Sequence, residues 1–198
     1  VNIVDGLESL KEKIQNSFDC DLYFHTWGEY DESLLNLLTP RSFKFDEPIN
    51  SGYEGTKIHS TFSRFISLDN SVKLFLSSCS KYNLNYDAIL VARFDLIYFQ
   101  NIIPPIVNDN DVFFPIWWNP ISGKEGLLDY YFVTSQITIE KFTKTTDFIK
   151  NYMEINKINT DRHPLFSNHY FLFQFASSEK FHTKFYGEEY HDYCLPKH

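Results

Sequence analysis

The stretch Tyr86-Asp87-Ala88-Ile89-Leu90-Val91-Ala92-Arg93-Phe94-Asp95-Leu96 decides the fold class of this chain. Its apolar run, 88–92, is uninterrupted, which is typical of a central strand covered on both faces. Arg93 and Asp95 follow the run directly. Because open α/β sheets bind ligands beyond the carboxyl ends of their strands, these two side chains are predicted to face a ligand crevice. They could also simply pair with each other, since residues two apart on a strand share a face.

The segments around this strand alternate between helical and extended patterns. Helices are predicted at 4–14, 58–68, 71–82 and 139–155, strands at 21–27 and 112–118, and an aromatic helix that ends at 175. Residues 41–57 have turn residues and no sustained period, so they are interpreted as a loop. Alternation of this kind favours an α/β fold with a mainly parallel sheet flanked by helices.

Composition limits the classes of function. With 198 residues and 43% hydrophobic content, the chain is long enough for one domain with a core, here taken as 1–198. The formal net charge of -8 argues against nucleic acid as a partner. Three separated cysteines, Cys20, Cys79 and Cys194, favour a reducing compartment. No apolar run is long enough for a membrane span, which predicts a cytoplasmic protein.

Three motifs, in order, resemble one known family. They are Asp21-Leu22-Tyr23-Phe24-His25-Thr26-Trp27, then Arg93-Phe94-Asp95-Leu96 after Tyr86-Asp87, then Asp129-Tyr130-Tyr131-Phe132. Together they resemble the GT-A glycosyltransferases of bacterial surface-polysaccharide clusters and large DNA viruses. The likeness extends to the N-terminal glycosyltransferase domains of chlorovirus multidomain proteins. It spans most of residues 1–175.

The resemblance implies a fold, a reaction and partners. The fold is a GT-A-like, Rossmann-related sheet. The reaction moves a sugar from a nucleotide-diphosphate donor to a glycan acceptor. UDP is the favoured nucleotide, and rhamnose and glucose are the candidate sugars. The cofactor is a divalent metal, Mn2+ with Mg2+ as the alternative. If the protein is viral, its location is the host cytoplasm.

The metal-holding motif of the family is altered here. It is usually Asp-x-Asp after a central strand, but the matching residues read Arg93-Phe94-Asp95, so Asp95 is the carboxylate that remains. One carboxylate with diphosphate oxygens and water can still complete an octahedral site. Arg93 is expected either to bind the diphosphate or to fix Asp95 by a salt bridge. A C-terminal histidine, with His191 as the candidate, stays open as a further ligand.

A literal Asp-x-Asp occurs elsewhere, at Asp109-Asn110-Asp111. It precedes the predicted strand at 112–118 instead of following one. The motif is therefore expected at the amino ends of the strands, on the opposite side of the sheet from the ligand crevice at their carboxyl ends. A solvated turn with a helix-capping or Asx-turn role is the favoured interpretation, and its two carboxylates stay open as the alternative acidic site.

The resemblance assigns the remaining site residues. Asp129 is placed near the acceptor as the base that removes a hydroxyl proton in an inverting transfer. Its alternative role is a helix N-cap. Thr26 and Trp27, at the end of the early strand, are placed at the nucleoside, although an aromatic residue there is more often core or lid.

Two further alternatives stay open, and one expectation concerns the N-terminus. A retaining transferase would use a carboxylate or amide on the other face of the sugar. A non-catalytic carbohydrate-binding or assembly module on the same fold would suit the incomplete Asp-x-Asp and the 18% aromatic content. Family members open with a strand before the first helix, so the natural chain is expected to start earlier and to belong to a longer multidomain protein.

Overall fold

The fold is mixed α/β. The computed structural model of the chain describes residues 3–50, 56–99, 101–115, 117–118, 126–127, 131–163, 165–185 and 193–194. Its α-helices are α1 (Ile3–Lys13), α2 (Glu32–Leu38), α3 (Lys57–Tyr82), α4 (Gln136–Ile139), α5 (Thr145–Ile155) and α6 (Asn168–Ser178), with 3-10 turns at Gln15–Ser17 and Glu140–Lys144. Among these helices, none is both long enough and apolar enough to cross a bilayer.

In the part of the chain that the structure describes, the strands form one four-stranded sheet and three two-stranded ones. They are β1 (Tyr23–Trp27), β2 (Ser42–Asp46), β3 (Ile89–Ala92), β4 (Ile97–Tyr98), β5 (Asp111–Phe114), β6 (Trp117–Trp118), β7 (Gly126–Leu127), β8 (Tyr131–Thr134), β9 (His182–Phe185) and β10 (Tyr193–Cys194). The larger sheet has the order β3-β8-β5-β9. Within the described ranges β3 is thus its terminal strand and is only partly buried, whereas the sequence predicts a central strand covered on both faces; β8 pairs with it on one side. The small pairs are β1-β2, β4-β10 and β6-β7.

The larger sheet is mixed, whereas the sequence predicts a mainly parallel one. Strand β8 runs antiparallel to both β3 and β5, and β5 is parallel to β9. The reason is that the chain reverses at the antiparallel pair β6–β7, which follows β5, so that β8 returns between β3 and β5. Because β8 is antiparallel to each of them, β3 and β5 still point the same way.

Several boundaries differ from the sequence prediction. The helix predicted at 139–155 is divided into the 3-10 turn Glu140–Lys144 and α5, and the strand predicted at 112–118 is divided into β5 and β6. Residues Ser42–Asp46, interpreted above as loop, form β2, which pairs in parallel with β1 in the register Tyr23↔Ser42 to Trp27↔Asp46. The alternating Phe43 and Phe45 were the signal for this strand. The two helices predicted at 58–68 and 71–82 are the single α3, because Asp69 and Asn70 continue the helix without a break.

Strands β1 and β3 lie near each other and run in the same direction, and within the described ranges they do not pair. Near their starts, the hydroxyls of Tyr23 and Tyr86 lie 2.8 Å apart. Further along, the rings of Phe24 and Phe94 meet at 5.8 Å. In the part of the chain that the structure describes, β2 is the partner of β1 and β8 is the partner of β3. The carboxyl ends of β1 and β3 therefore open on the same side.

The core is dominated by phenylalanine. Phe142 is fully buried, stacks on Phe132 at 4.7 Å and on Phe181 at 5.3 Å, and meets Phe175 edge-on at 5.4 Å. A second cluster lies under β1, β4 and α1, around Leu7, Leu38, Leu96 and Tyr98. Burial of such large rings contributes most of the favourable free energy of folding.

Asp69, in the middle of α3, makes stability depend on pH. Its side chain is buried at the start of α5, where the Thr146 amide donates to Oδ2 at 3.3 Å. Burial raises the pKa of Asp69 to about 6. The Thr146 hydrogen bonds and the charge of Lys73 lower this pKa, but they offset only part of the effect of burial. Since the folded protein holds this proton more tightly than the unfolded chain does, stability is lost as pH rises from about 4 through 6.

We therefore expect Asp69→Asn to raise the free energy of unfolding at pH 7 by about 2 kcal/mol. The amide keeps the shape of the side chain and removes the buried charge. Urea denaturation at pH 7 and pH 4 measures this, and the gain should vanish at pH 4. The exposed Asp19→Asn is the matched control and should change little. Equal gains at both pH values would contradict a buried, titrating carboxyl group.

Candidate functional site

The carboxyl ends of β1 and β3 border one small cavity. Its volume is about 190 Å³, and it is lined by Leu7, Phe24, Thr26, Trp27, Glu29, Asp31, Leu34, Phe45 and Phe94. Thr26 and Trp27 end β1, and Phe94 lies between Arg93 and Asp95 in the turn after β3. The cavity thus joins the end of β1 to the turn that carries Arg93 and Asp95. Its lining is mostly apolar and includes the acidic residues Glu29 and Asp31.

Arg93 and Asp95 form a two-point ion pair beside this cavity. The Arg93 Nε donates to Asp95 Oδ1 at 2.6 Å, and its Nη2 donates to Oδ2. Burial alone would raise the pKa of Asp95, but the hydrogen bonds and charge of Arg93, with a contribution from Arg64, hold that pKa below its usual value. The Asp95 side chain is half-exposed and Arg93 is a quarter exposed. A charged pair is thus available at the mouth of the crevice.

Hydrogen bonds of Tyr98 fix the turn that carries this pair. The hydroxyl of the buried Tyr98 donates to the Arg93 carbonyl oxygen at 2.7 Å. Its amide donates to Ser9 Oγ at 3.0 Å, which ties the turn to α1. Burial raises the pKa of Tyr98, so its hydroxyl stays protonated and keeps donating. Residues 93–96 are therefore held on the surface of α1.

A buried polar cluster, which the sequence analysis did not identify, joins β1, β2 and α3. His25 is buried, with Nδ1 at 2.8 Å from Ser67 Oγ and Nε2 at 3.1 Å from Asp46 Oδ2. Asn70 and Lys44 also donate to that oxygen, at 3.2 and 2.6 Å. The cluster was missed because Asp46 was assigned to a loop.

The charge states in this cluster follow from its surroundings. Burial lowers the pKa of His25 although Asp46 opposes the change, so the ring is neutral at pH 7. The Lys44 hydrogen bond lowers the pKa of Asp46, with His25 adding to the effect. Next to the cluster, the Trp27 ring meets the edge of His25 at 4.9 Å. The cluster therefore fixes the end of β1 and with it one wall of the cavity.

The competing Asp109-Asn110-Asp111 motif lies at the other edge of the sheet, as predicted. Asp111 opens β5, whose Val112 pairs with Thr134, the residue that also pairs with Ile89 at the start of β3. Asp111 is buried and accepts from Lys184 Nζ at 2.7 Å and from the Asn108 amide at 3.2 Å. The Lys184 hydrogen bond lowers the pKa of Asp111. This carboxylate is an internal ion-pair partner.

Asp129 and His191 lie outside the described residues. Asp129 stands two positions before Tyr131 in the chain, and Tyr131 pairs with Ala92, the residue before Arg93. The strand register thus places Tyr131 at the edge of the sheet where Arg93 and Asp95 lie. The role of Asp129 stays a prediction.

The residues that are present allow a divalent cation with a single protein carboxylate. Within the described ranges, no three His, Cys, Asp or Glu side chains are gathered as a ligand set. Asp95 offers one half-exposed carboxylate whose lowered pKa keeps it ionised. Hard cations commonly complete such a site with substrate oxygens and water. Both Asp95 oxygens are engaged by Arg93, so a cation and Arg93 would compete for them.

Comparison of the sequence with known proteins does not assign this chain to a family. No protein-family model matches this chain, and no curated protein matches it.

Proposed function

We propose that this domain is a GT-A-type glycosyltransferase that moves a sugar from a nucleotide-diphosphate donor, UDP-linked in the first instance, to a hydroxyl of a glycan acceptor. The observation that carries the proposal is that Thr26 and Trp27 line a cavity of about 190 Å³ together with Phe94, whose two chain neighbours, Arg93 and Asp95, form an ion pair. Ligand crevices of open α/β sheets lie at the carboxyl ends of strands, which is where this cavity lies.

The cavity suits the nucleoside part of the donor. An aromatic wall from Trp27 and Phe94 can pack against a planar base, and the Thr26 hydroxyl can hydrogen-bond with it. Arg93 lies beside this cavity and would bind the diphosphate, because the two N–H groups of a guanidinium can donate to two phosphoryl oxygens. In the free protein Asp95 holds that guanidinium in position.

Asp95 is the residue that would hold Mn2+ or Mg2+. When bound, the cation would neutralise charge on the leaving nucleotide. Arg93 would exchange its contact with Asp95 for one with the diphosphate, which frees the carboxylate oxygens. The protein thus carries both groups that make the nucleotide a better leaving group.

Asp129 is the proposed base of an inverting transfer. The acceptor oxygen forms a bond to the anomeric carbon on the face opposite the nucleotide. The bond from that carbon to the diphosphate oxygen breaks, and the hydroxyl proton passes to the Asp129 carboxylate. Its position in the chain, two residues before the strand that pairs with Ala92, supports this assignment.

A non-catalytic carbohydrate-binding or assembly module is the second candidate. The observation that favours it is the two-point contact with Arg93, which occupies both oxygens of Asp95. In such a module the pair would only stabilise the turn. Turnover of a nucleotide sugar separates the two candidates.

The test is nucleotide release from a panel of UDP-, GDP- and dTDP-sugars, with Mn2+ or with EDTA, using the full chain. We expect slow, metal-dependent release from one donor class, because activated donors hydrolyse without an acceptor. Asp95→Asn should lower that release by about 100-fold, since it removes the cation ligand and leaves the Arg93 guanidinium without its partner. The control is Asp109→Asn, which alters the literal Asp-x-Asp and should leave release unchanged.

Two results would overturn the proposal. One is the absence of both nucleotide release and metal-dependent nucleotide binding in folded protein, which would favour the binding module. The other is loss of release in Asp109→Asn with normal release in Asp95→Asn. The anomeric configuration of a transferred product, once an acceptor is known, separates inversion from retention.

A further inference from the structure

A second, larger concavity adjoins the cavity of the candidate site. It measures about 530 Å³ and is lined by Gly28, Glu29, Tyr30, Phe43, Lys44, Phe45, Asp46 and Glu47. Glu29 and Phe45 line both spaces, so the two are neighbours. The volume lies within the range of small-molecule sites. This concavity is called the β2 pocket below.

Three aromatic rings form one wall of the β2 pocket. Tyr30 lies 6.2 Å from Phe43 and 5.6 Å from Phe45, and the two phenylalanines are 6.0 Å apart. Phe43 and Phe45 share a face of β2 because they are two residues apart. Tyr30 is 64% exposed and Phe43 is 41% exposed. Scattered exposed rings are ordinary, but rings that touch one another around a hollow indicate a binding surface.

The backbone holds this wall in place. Gly28 adopts a φ of +108°, which lets the chain turn sharply out of β1 toward Tyr30. Its amide donates to the Asp46 carbonyl oxygen at 2.9 Å, so the turn is tied to the end of β2. Asp46 is in turn anchored by His25, Asn70 and Lys44. The pocket is therefore built on two paired strands.

The charges around the pocket select the class of ligand. Glu29 and Glu47 are the exposed carboxylates of this lining. Lys44, its basic residue, alternates with Phe43 and Phe45 on β2 and is already paired with Asp46. The pocket therefore disfavours phosphate, nucleic acid and acidic lipid, whereas the cavity proposed for the donor has Arg93 beside it. Exposed carboxylates accept hydrogen bonds from hydroxyl groups, and aromatic faces pack against the C–H faces of sugar rings. A neutral saccharide offers both kinds of contact.

We infer that the β2 pocket, with Tyr30 and Phe43 as its stacking rings, binds a neutral oligosaccharide, which is the glycan acceptor of the proposed transfer. Binding of saccharide does not depend on the proposed function, but the acceptor role rests on it. The shared lining residues Glu29 and Phe45 would bring the end of the saccharide to the mouth of the donor cavity.

The experiment is titration of the full chain, in the absence of nucleotide, with neutral trisaccharides of glucose, galactose and mannose. Binding is measured by calorimetry and by saturation-transfer NMR. We expect one of them to bind, and Tyr30→Ala or Phe43→Ala to weaken its binding about tenfold. Phe43→Tyr should restore it, since the ring is kept. Tyr82→Ala removes another exposed tyrosine, at the end of α3, and should not alter binding.

Nucleotide release to water, measured on the same variants, keeps the two proposals apart. Tyr30→Ala and Phe43→Ala should hydrolyse the donor like the unaltered protein, because neither residue lines the donor cavity. Binding without any donor hydrolysis would leave the pocket standing and overturn the transferase. The saccharide site would be overturned if no trisaccharide bound, or if both alanine variants bound a trisaccharide as tightly as the unaltered protein does. A dimer that Phe43→Ala dissociates, in protein that binds no saccharide, would assign the surface to a protein contact instead.

Discussion

Gly6→Ala is expected to lower the free energy of unfolding by about 3 kcal/mol, although alanine normally stabilises a helix relative to glycine. Gly6 lies in α1 against the turn after β3. A methyl carbon there would overlap the carbonyl oxygen of Phe94 and lie 3.0 Å from that of Leu96. Both obstacles are backbone atoms, so no side-chain rotation relieves them. The helix would have to move away from the turn.

This substitution also tests the support of the candidate site. Ser9 and Tyr98 tie α1 to residues 93–96, and the same turn carries Arg93 and Asp95. We expect Gly6→Ala to reduce nucleotide release more than its loss of stability explains, measured at a temperature where the variant is folded. Urea denaturation gives the stability. The exposed Glu8→Ala on the same helix is the control and should change neither quantity appreciably.

An unchanged or higher denaturation midpoint for Gly6→Ala would contradict the close packing of α1 on this turn. Unchanged stability with reduced release would show that the turn moves at little cost. In that case the contact with α1 positions Arg93 and Asp95 but does not stabilise the fold.

Phe142→Ala should cost about 4 kcal/mol of stability, which is the range for truncating a fully buried phenylalanine. The ring contacts Phe132 of β8, Phe175 of α6 and Phe181 just before β9. Its removal leaves a hollow lined by rigid aromatic rings, which can collapse only in part. Loss of these contacts would loosen the four-stranded sheet against α6.

Thermal and urea denaturation measure this cost. Phe99→Ala removes the same side chain from a half-exposed position and should cost less than about 1 kcal/mol. Phe142→Leu keeps most of the volume and should recover more than half of the loss. A loss for Phe142→Ala as small as that for Phe99→Ala would mean that the phenylalanine cluster is not packed as described.

The elements with a long, regular pattern could be predicted from the sequence. Helix α1 and strand β1 lie within two residues of their predicted bounds, and the apolar run before Arg93 is a strand. Its predicted place in the centre of the sheet was wrong, because in the described residues β3 ends the order β3-β8-β5-β9 and is only partly buried. The displacement of the Asp109-Asn110-Asp111 motif to the other edge was also predictable, since it followed from chain order and strand direction. These features are local or depend on one rule of sheet geometry.

Other features could not be predicted because distant residues decide them. Phe43 and Phe45 carry a strand pattern, but turn residues surround them, and pairing with β1 supplies the hydrogen bonds that make a strand of Ser42–Asp46. Without β2 there was no reason to connect Asp46 with His25, 21 positions earlier, or with Asn70. The mixed direction of the larger sheet likewise depends on where β8 returns.

The sequence by itself determined the mixed α/β class, the strand that ends at Arg93 and Asp95, and the edge of the sheet where a ligand site is expected. It could do so because apolar periodicity and chain direction are properties of short segments. The tertiary structure decided that Arg93 binds both oxygens of Asp95, that Gly6 and Tyr98 support their turn, and that Tyr30 contacts Phe43 in the β2 pocket. These are contacts between segments far apart in the chain, and their energies exist only once the core has brought the segments together.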